Sequence, residues 1–287
     1  MAERVVLHVG TMKSGTSYLQ QLLFAEKPRL AGAGVLVPGA KWAEQARAVR
    51  QALAPRKGGP RPRWEAFSEE VRAARGTAVI SMEYLGPSRP DTITKVLREL
   101  GASQVRVVVT ARDLNRTLVS MWQETIQNGR TWTWAEYLAD AEAKRPRVGA
   151  SGVELDAGRE VTTANESLGL ASLLVLRRVN ELLDERDLRF PAGQGVRKRT
   201  LAKTILAARR GAEPALGLRT PPWVREQTER TVAALRGAST RLAGDWADLE
   251  PVDVPGVEPD DVPLTDVHEA ALEAIAGLVA DQVRRRD

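Results

Sequence analysis

The chain has 287 residues, 43% of them apolar and 28% charged, the balance of an ordinary globular protein with one large domain. It holds no cysteine, which excludes disulfides, thiolate catalysis and cysteine metal sites, and its two histidines, His8 and His268, argue against a histidine metal cluster. The net charge of +5 suits an anionic ligand, and is equally compatible with nonspecific contact to nucleic acid or with an arginine-rich genome.

Glu3 and Arg4 lead straight into a strand-like run, with no apolar leader segment and no cleavage site, so a cytoplasmic location is expected. The longest apolar runs fall far short of a membrane span. Residues 4–9 form a short apolar run ending at Gly10, the pattern of a buried strand. Residues 16–24 carry apolar side chains at helical spacing, so the chain opens as strand, loop, helix. A second short strand is expected at 34–38 and a helix at Trp42–Leu53. The Pro/Gly/Arg stretch 55–63 reads as an exposed loop. Then come a helix at 64–75, a strand at Thr77–Ser81 and a helix at 91–100 with Asp91 as N-cap. A strand at 104–110 and a helix at 114–128 follow.

Strands alternating with helices predict a parallel sheet flanked by helices, a P-loop-like α/β fold. Past residue 130 the pattern becomes mainly helical, with helices expected at 133–143, 167–185, 196–210, 224–235 and 265–284. Leu168, Leu173, Leu176, Val179 and Leu183 lie near one face of the second of these, with Asn165 placed to cap it. Residues 144–163 read as irregular and 252–263 as an extended acidic segment. The whole is read as one domain, an α/β core at 1–130 and a helical remainder at 131–287.

Gly10-Thr11-Met12-Lys13-Ser14-Gly15-Thr16-Ser17 joins the first strand to the first helix. The two glycines allow a sharp turn and a close approach of backbone to an anion. The N–H groups and dipole of the following helix favour negative charge there. Lys13, Ser14, Thr16 and Ser17 add side-chain donors. A Walker A loop carries its lysine directly after the second glycine; here Thr16 follows Gly15, and the lysine stands two residues before it. That argues against an ATPase, a GTPase or a nucleotide kinase.

The strand at 104–110 runs into Ala111-Arg112-Asp113-Leu114-Asn115-Arg116, and Ser120 follows on the next helix. Arg112 therefore stands at a strand's carboxyl end, where ligands of open α/β sheets collect. An arginine fork plus a hydroxyl suits a phosphate monoester. The spacing alone fits equally well a helix start in which Asp113 caps and Arg112 or Arg116 makes surface pairs. Glu83 follows the strand Thr77–Ser81, on the same side of the sheet. A carboxylate there could take a proton as general base, ahead of Glu124 and Asp113. His8 lies within the first strand in a supporting position, and His268 is remote.

The segment HVGTMKSGTSYLQ resembles the 5′-phosphosulfate loop of sulfotransferases that use 3′-phosphoadenosine 5′-phosphosulfate (PAPS), in an actinobacterial-like subgroup, with Met12 where proline is usual. Strand-R-D-x-x-R-x-x-x-S is similar to their 3′-phosphate segment. The resemblance implies PAPS as donor and no metal. It implies that Lys13 meets the 5′-phosphate and the bridging oxygen, with Ser14, Gly15, Thr16, Ser17 and Tyr18 at the same end. It places Arg112 and Ser120 on the 3′-phosphate. The acceptor would be a hydroxyl or amine of a small molecule, carbohydrate or lipid, with no specific nucleic acid. Some members use histidine as base and others glutamate, and here Glu83 is the first candidate. The resemblance covers residues 4 to 130 and returns at 165–180 and 242–251. Residues 141–161 depart from it, being short, polar and without a strand. A nucleotide-binding relative that no longer turns over stays open on that ground. Nucleic-acid binding through the arginines of 186–241 is a further alternative, weakened by the scarcity of aromatics among them.

Overall fold

The computed structural model describes residues 2–53, 59–144, 167–189, 191–238 and 241–285. Residue contacts sort the chain into two compact units. The first is built mainly from Met1–Arg112 and Thr231–Leu249, the second mainly from Asp113–Val148, Ala164–Arg230 and Glu250–Asp287.

The first unit is an α/β layer. Strands β1 (Arg4–His8), β2 (Val35–Leu36), β3 (Thr77–Ser81) and β4 (Gln104–Val108) form one parallel sheet in the order β2-β3-β1-β4. The expected parallel sheet with covering helices is present. Helices α1 (Thr16–Ala25), α2 (Lys27–Gly32), α3 (Trp42–Leu53), α4 (Pro62–Ala73) and α5 (Pro90–Leu100) join the strands. β1 is central, and its Val5 and Leu7 are buried with Ala78 and Ile80 of β3. Trp64, Phe67 and Val71 of α4 and Val96 and Leu100 of α5 close that core. A strand buried on both faces reads as a continuous apolar run, which is why RVVLH and TAVIS are visible in the sequence. β4 is an edge strand, and its first three residues are exposed.

Two local expectations change. Asp91 does not cap α5: the helix starts at Pro90 with Arg89 as N-cap, because proline fits the first helical position and lacks the N–H that a cap would serve. Helix α2 was not expected, since six residues with an internal proline carry too little periodicity.

The second unit is helical: α6 (Leu114–Gln127), α7 (Trp134–Ala143), α8 (Leu170–Asp184) and α10 (Leu264–Arg284), with α9 (Pro222–Gly237) entering from it. Its core gathers Trp122, Ile126, Trp134, Leu173, Leu176, Leu206 and Val224. The expected helix at 196–210 is instead a π-helix over Gly195–Ile205 followed by a 3-10 segment over Leu206–Ala212. Periodicity near 3.6 does not separate these windings over so short a stretch. The segment expected to be extended, 252–263, is so around its bridges from Val254 and Val257 to Leu218 and Leu216, while Pro259–Asp261 winds into a 3-10 turn. Gly217 permits this, since a Cβ there would fall 2.6 Å from the Gly256 carbonyl carbon. The irregular stretch 145–163 and the Asn165 cap lie outside the described residues.

No helix among the described residues is long and apolar enough to cross a membrane.

Candidate anion-binding site

In the first unit, β1 pairs with β3 and β4 so that His8 is level with Ser81 and Val108. The segments leaving these three strands therefore gather at one end of the sheet, the carboxyl end where α/β ligands bind.

The loop after β1 is held in an unusual conformation. Gly15, the N-cap of α1, is left-handed at φ 87° and ψ 5°. Lys13 is left-handed too, at φ 66°, which costs a residue with a Cβ on the order of 1 kcal/mol. Alternating right- and left-handed residues turn successive N–H groups into one concavity, a nest for an anion. The first turn of α1 has neither a side-chain cap nor an acidic residue. Its leading donors are thus left to another acceptor.

Two contacts hold the loop in this shape. Arg112 Nη1, from the segment after β4, donates to the Lys13 carbonyl at 3.2 Å. Ser14 Oγ lies 2.6 Å from the Thr11 carbonyl, 2.8 Å from the Thr110 carbonyl and 2.8 Å from Thr110 Oγ1. Ser14 has one hydroxyl proton, and only a proton makes such short approaches to carbonyl oxygens favourable. Ser14 therefore donates to the carbonyls, and Thr110 Oγ1–H donates to Ser14. Thr110 then accepts from His8 Nε2–H at 3.1 Å, and His8 Nδ1 lies 2.7 Å from Ser81 Oγ. The chain Ser81, His8, Thr110, Ser14 places a proton on His8 Nε2, and in the neutral ring Nδ1 accepts from Ser81.

Burial favours the same state. His8 is buried, which pushes its pKa below the ordinary 6.5, with the nearby Glu83 charge acting the other way. Gly10 lies under this chain: a Cβ there would meet Thr16 Cγ2 at 2.4 Å, Thr110 Oγ1 at 2.7 Å and His8 Nε2 at 2.9 Å. Glycine is the residue that lets loop and strand ends close together.

Glu83 opens a 3-10 turn, Glu83–Leu85, directly after β3. Gly86 closes the turn against the β1 loop, since a Cβ there would lie 3.3 Å from the Val9 carbonyl. Gln20, buried on α1, donates to Glu83 Oε2 at 2.8 Å and fixes the half-buried carboxylate.

Of the residues expected at the site, Lys13, Ser14, Gly15, Thr16, Ser17, Tyr18, Glu83 and Arg112 all belong to the first unit. Ser17 is exposed, Tyr18 is half-buried, and Thr16 is buried against Gly10. The Ser14 hydroxyl is committed to the loop, which leaves its proton unavailable to an anion. Ser120 is half-buried on α6 in the second unit. Asp113 caps α6, accepting from Arg116 N at 2.9 Å, so the capping reading of this segment holds beside any role for Arg112. Glu124 is bonded by Lys198 Nζ at 2.9 Å and by Asn128 Nδ2 at 3.0 Å. Thr110, Ser81 and Gln20 were not singled out by sequence. Thr110 stands two positions before Arg112, and Gln20 ends the motif SYLQ, but nothing local marks either as a partner.

Among the described residues, no group of three or more His, Asp or Glu side chains is placed to hold a metal ion. Comparisons with family models, with curated proteins and with solved structures find no match for the chain.

Proposed function

We propose that the chain is a sulfotransferase that moves a sulfuryl group from PAPS to a hydroxyl or amine of an acceptor. One observation carries this reading: an uncapped helix N-terminus, preceded by a left-handed lysine whose carbonyl is gripped by an arginine at the neighbouring strand's end. The loop offers what a phosphate at a helix N-terminus needs, and Arg112 supplies a second cation from an adjacent strand. Gly10 lets Thr16, Thr110 and His8 close on the start of the loop and so supports its shape.

In this reading the bond between the sulfur and the bridging phosphate oxygen breaks while the acceptor oxygen or nitrogen bonds to sulfur. Lys13 and the α1 N–H groups stabilise charge growing on the departing phosphate oxygen. Glu83 takes the acceptor's proton, its carboxylate held in place by Gln20. Arg112 would bind the 3′-phosphate, so that binding energy far from the reacting bond orients the donor.

Calorimetry with adenosine 3′,5′-bisphosphate, AMP, ADP and ATP tests the reading. Bisphosphate binding without magnesium, tighter than any of the other three, is expected. Equal affinity for AMP, or a magnesium-dependent preference for ATP, would overturn it. Bisphosphate binding with no transfer from PAPS to any acceptor in a broad screen would favour a nucleotide-binding protein without turnover.

A further inference from the structure

The helical unit holds a buried cation that sulfuryl transfer does not use. Arg197, on the π-helix Gly195–Ile205, is 5% exposed, and its Nη1 and Nη2 are both closed to solvent with no hydrogen-bond partner. A buried guanidinium without an acceptor is among the costliest groups a fold can hold. The neighbouring Lys198 shows the ordinary arrangement. It is half-buried, and its Nζ donates to Glu124 Oε1 at 2.9 Å and to Asn128 Oδ1 at 2.6 Å. Asp184, on α8, also keeps a buried carboxylate oxygen without a donor, so it does not answer Arg197.

The place of Arg197 says what would answer it. Helical side chains lean toward the N-terminus of their helix. Arg197 Nε lies 3.9 Å from where a Cβ on Gly193 would stand, and Arg199 Nη2 lies 3.3 Å from where a Cβ on Gly195 would stand. Two guanidiniums thus fold back over Gly193-Gln194-Gly195, at the start of the helix. That start has Gln194 as N-cap with no side-chain cap bond, and no acidic residue in its first turn. Its N–H groups and dipole favour an anion. Residues 191–194 are exposed, so the Arg197 fork lies just beneath the surface, where a small shift of this turn uncovers it. Between Asp187 and Glu213 the chain has seven Lys or Arg and no acid, so the surroundings also draw negative charge. A carboxylate has two oxygens, which the fork alone would use. The fork, Arg199 and the helix N–H groups together call for a third, which a tetrahedral oxyanion has.

We propose that the start of the π-helix is a second anion site, built from the helical unit alone, that takes a phosphate or sulfate group on Arg197 and Arg199. The bound group accepts from the Arg197 fork and relieves its buried charge. Anion binding is thereby coupled to the stability of this unit.

Thermal melts of the full chain, with phosphate, sulfate or acetate replacing chloride at matched ionic strength, test this. Phosphate and sulfate should raise the melting temperature in a saturable way, and acetate should not. Arg197→Met should melt higher than the wild type in chloride, because it removes a charge that no residue answers, and should lose the response to both anions. Lys13→Ala should keep that response, which separates this site from the loop after β1. Arg199→Ala changes an exposed residue, so it should fold normally and bind phosphate about tenfold more weakly. A response to inorganic ions alone supports a site for the free ion, and one to glucose 6-phosphate as well supports a site for the phosphate group of a larger molecule. A wild type that ignores phosphate and sulfate would overturn the proposal, as would a response that survives in Arg197→Met or is unchanged in Arg199→Ala. Acetate acting as strongly as phosphate would overturn it too. So would Arg197→Met and Asp184→Asn lowering the melt in chloride by the same amount, with the double variant no lower, which would tie those two charges to each other inside the fold.

Discussion

Helices α1 and α8 are each led by a glycine N-cap, and they treat their free N–H groups in opposite ways. α8, in the second unit, starts after Gly169, and the carboxylate of Glu213, whose side chain is 3% exposed, plugs its first turn. Glu213 Oε2 accepts from Ser172 N and Oε1 from Ser172 Oγ, both at 2.8 Å, and Arg209 Nε completes the set at 2.7 Å. Gly169 is required there, because a Cβ would fall 2.4 Å from Glu213. α1, in the first unit, starts after Gly15 with no acid in its first turn and a lysine two residues upstream. The carboxylate of Glu83 is bonded instead by Gln20, in the second turn of the helix. The same local device, a glycine-led helix start, is closed internally in one unit and left open beside a cation in the other. The internal anion at α8 shows what an external one would complete at α1.

The comparison is broken most severely at the two carboxylates. Glu83→Gln keeps size and hydrogen-bonding reach but cannot take a proton, so turnover should fall about 10²–10⁴-fold with bisphosphate affinity unchanged. Steady-state kinetics with an accepted substrate decides; near-normal turnover removes Glu83 from the mechanism. Glu213→Ala should do the reverse. It strands Ser172 and Arg209 and should cost about 3–5 kcal/mol in urea unfolding, the usual consequence of breaking a buried pair. The folded fraction should still bind bisphosphate. A small stability loss would mean that α8 does not depend on its plug.

Lys13→Ala sharpens the contrast at the open end. Transfer should drop about 10²–10³-fold, as for removal of one preorganised charge-stabilising donor, while affinity for the bisphosphate product falls less. Arg112→Ala should show the opposite balance, weakening bisphosphate binding by about 1.5–3 kcal/mol, the range of hydrogen bonds to charged groups. Calorimetry and kinetics on both variants test the division of roles. Identical patterns would show that the two cations act as one unit.

What the sequence discloses here follows from range. β1, β3 and the start of α1 are local signals: apolar runs bounded by glycine, then helical spacing. Lys13, Arg112 and Glu83 could be named because each stands at a strand's carboxyl end, a position that the alternation of strands and helices already defines. Ser14 was legible as a donor, yet its hydroxyl faces Thr110, 96 positions away in the chain. No local pattern holds that pairing. His8 and Thr110 are 102 positions apart and meet because β1 and β4 are neighbours in the sheet. Sheet order is a tertiary outcome, and the hydroxyl chain follows from it. The π-helix at Gly195–Ile205 escaped for a different reason, since its winding differs from an α-helix by a single hydrogen-bond step.

The smallest effect concerns that hydroxyl chain, which keeps the open helix start in shape. Its polarity places a proton on His8 Nε2, donating toward Thr110, and burial favours the neutral ring. With two histidines in the chain, nitrogen-detected NMR can follow both imidazoles, and His268→Gln assigns them. His8 should show the Nε2–H form and titrate below 6.5, because burial disfavours its cation. The linkage has a definite sign. Between 6.5 and the lower folded value the unfolded chain binds more protons, so this stability contribution is complete above 6.5 and declines as pH falls through that window. Thr110→Val removes the middle hydroxyl at little change in shape. It should cost on the order of 1 kcal/mol and leave Ser14 and His8 Nε2 each short of a partner. Because Ser14 still donates to the Thr11 carbonyl, the loop should persist, and bisphosphate affinity should fall only a few-fold. An Nδ1–H tautomer at His8 in the wild type would reverse every donor in the chain and refute the assignment of Ser14.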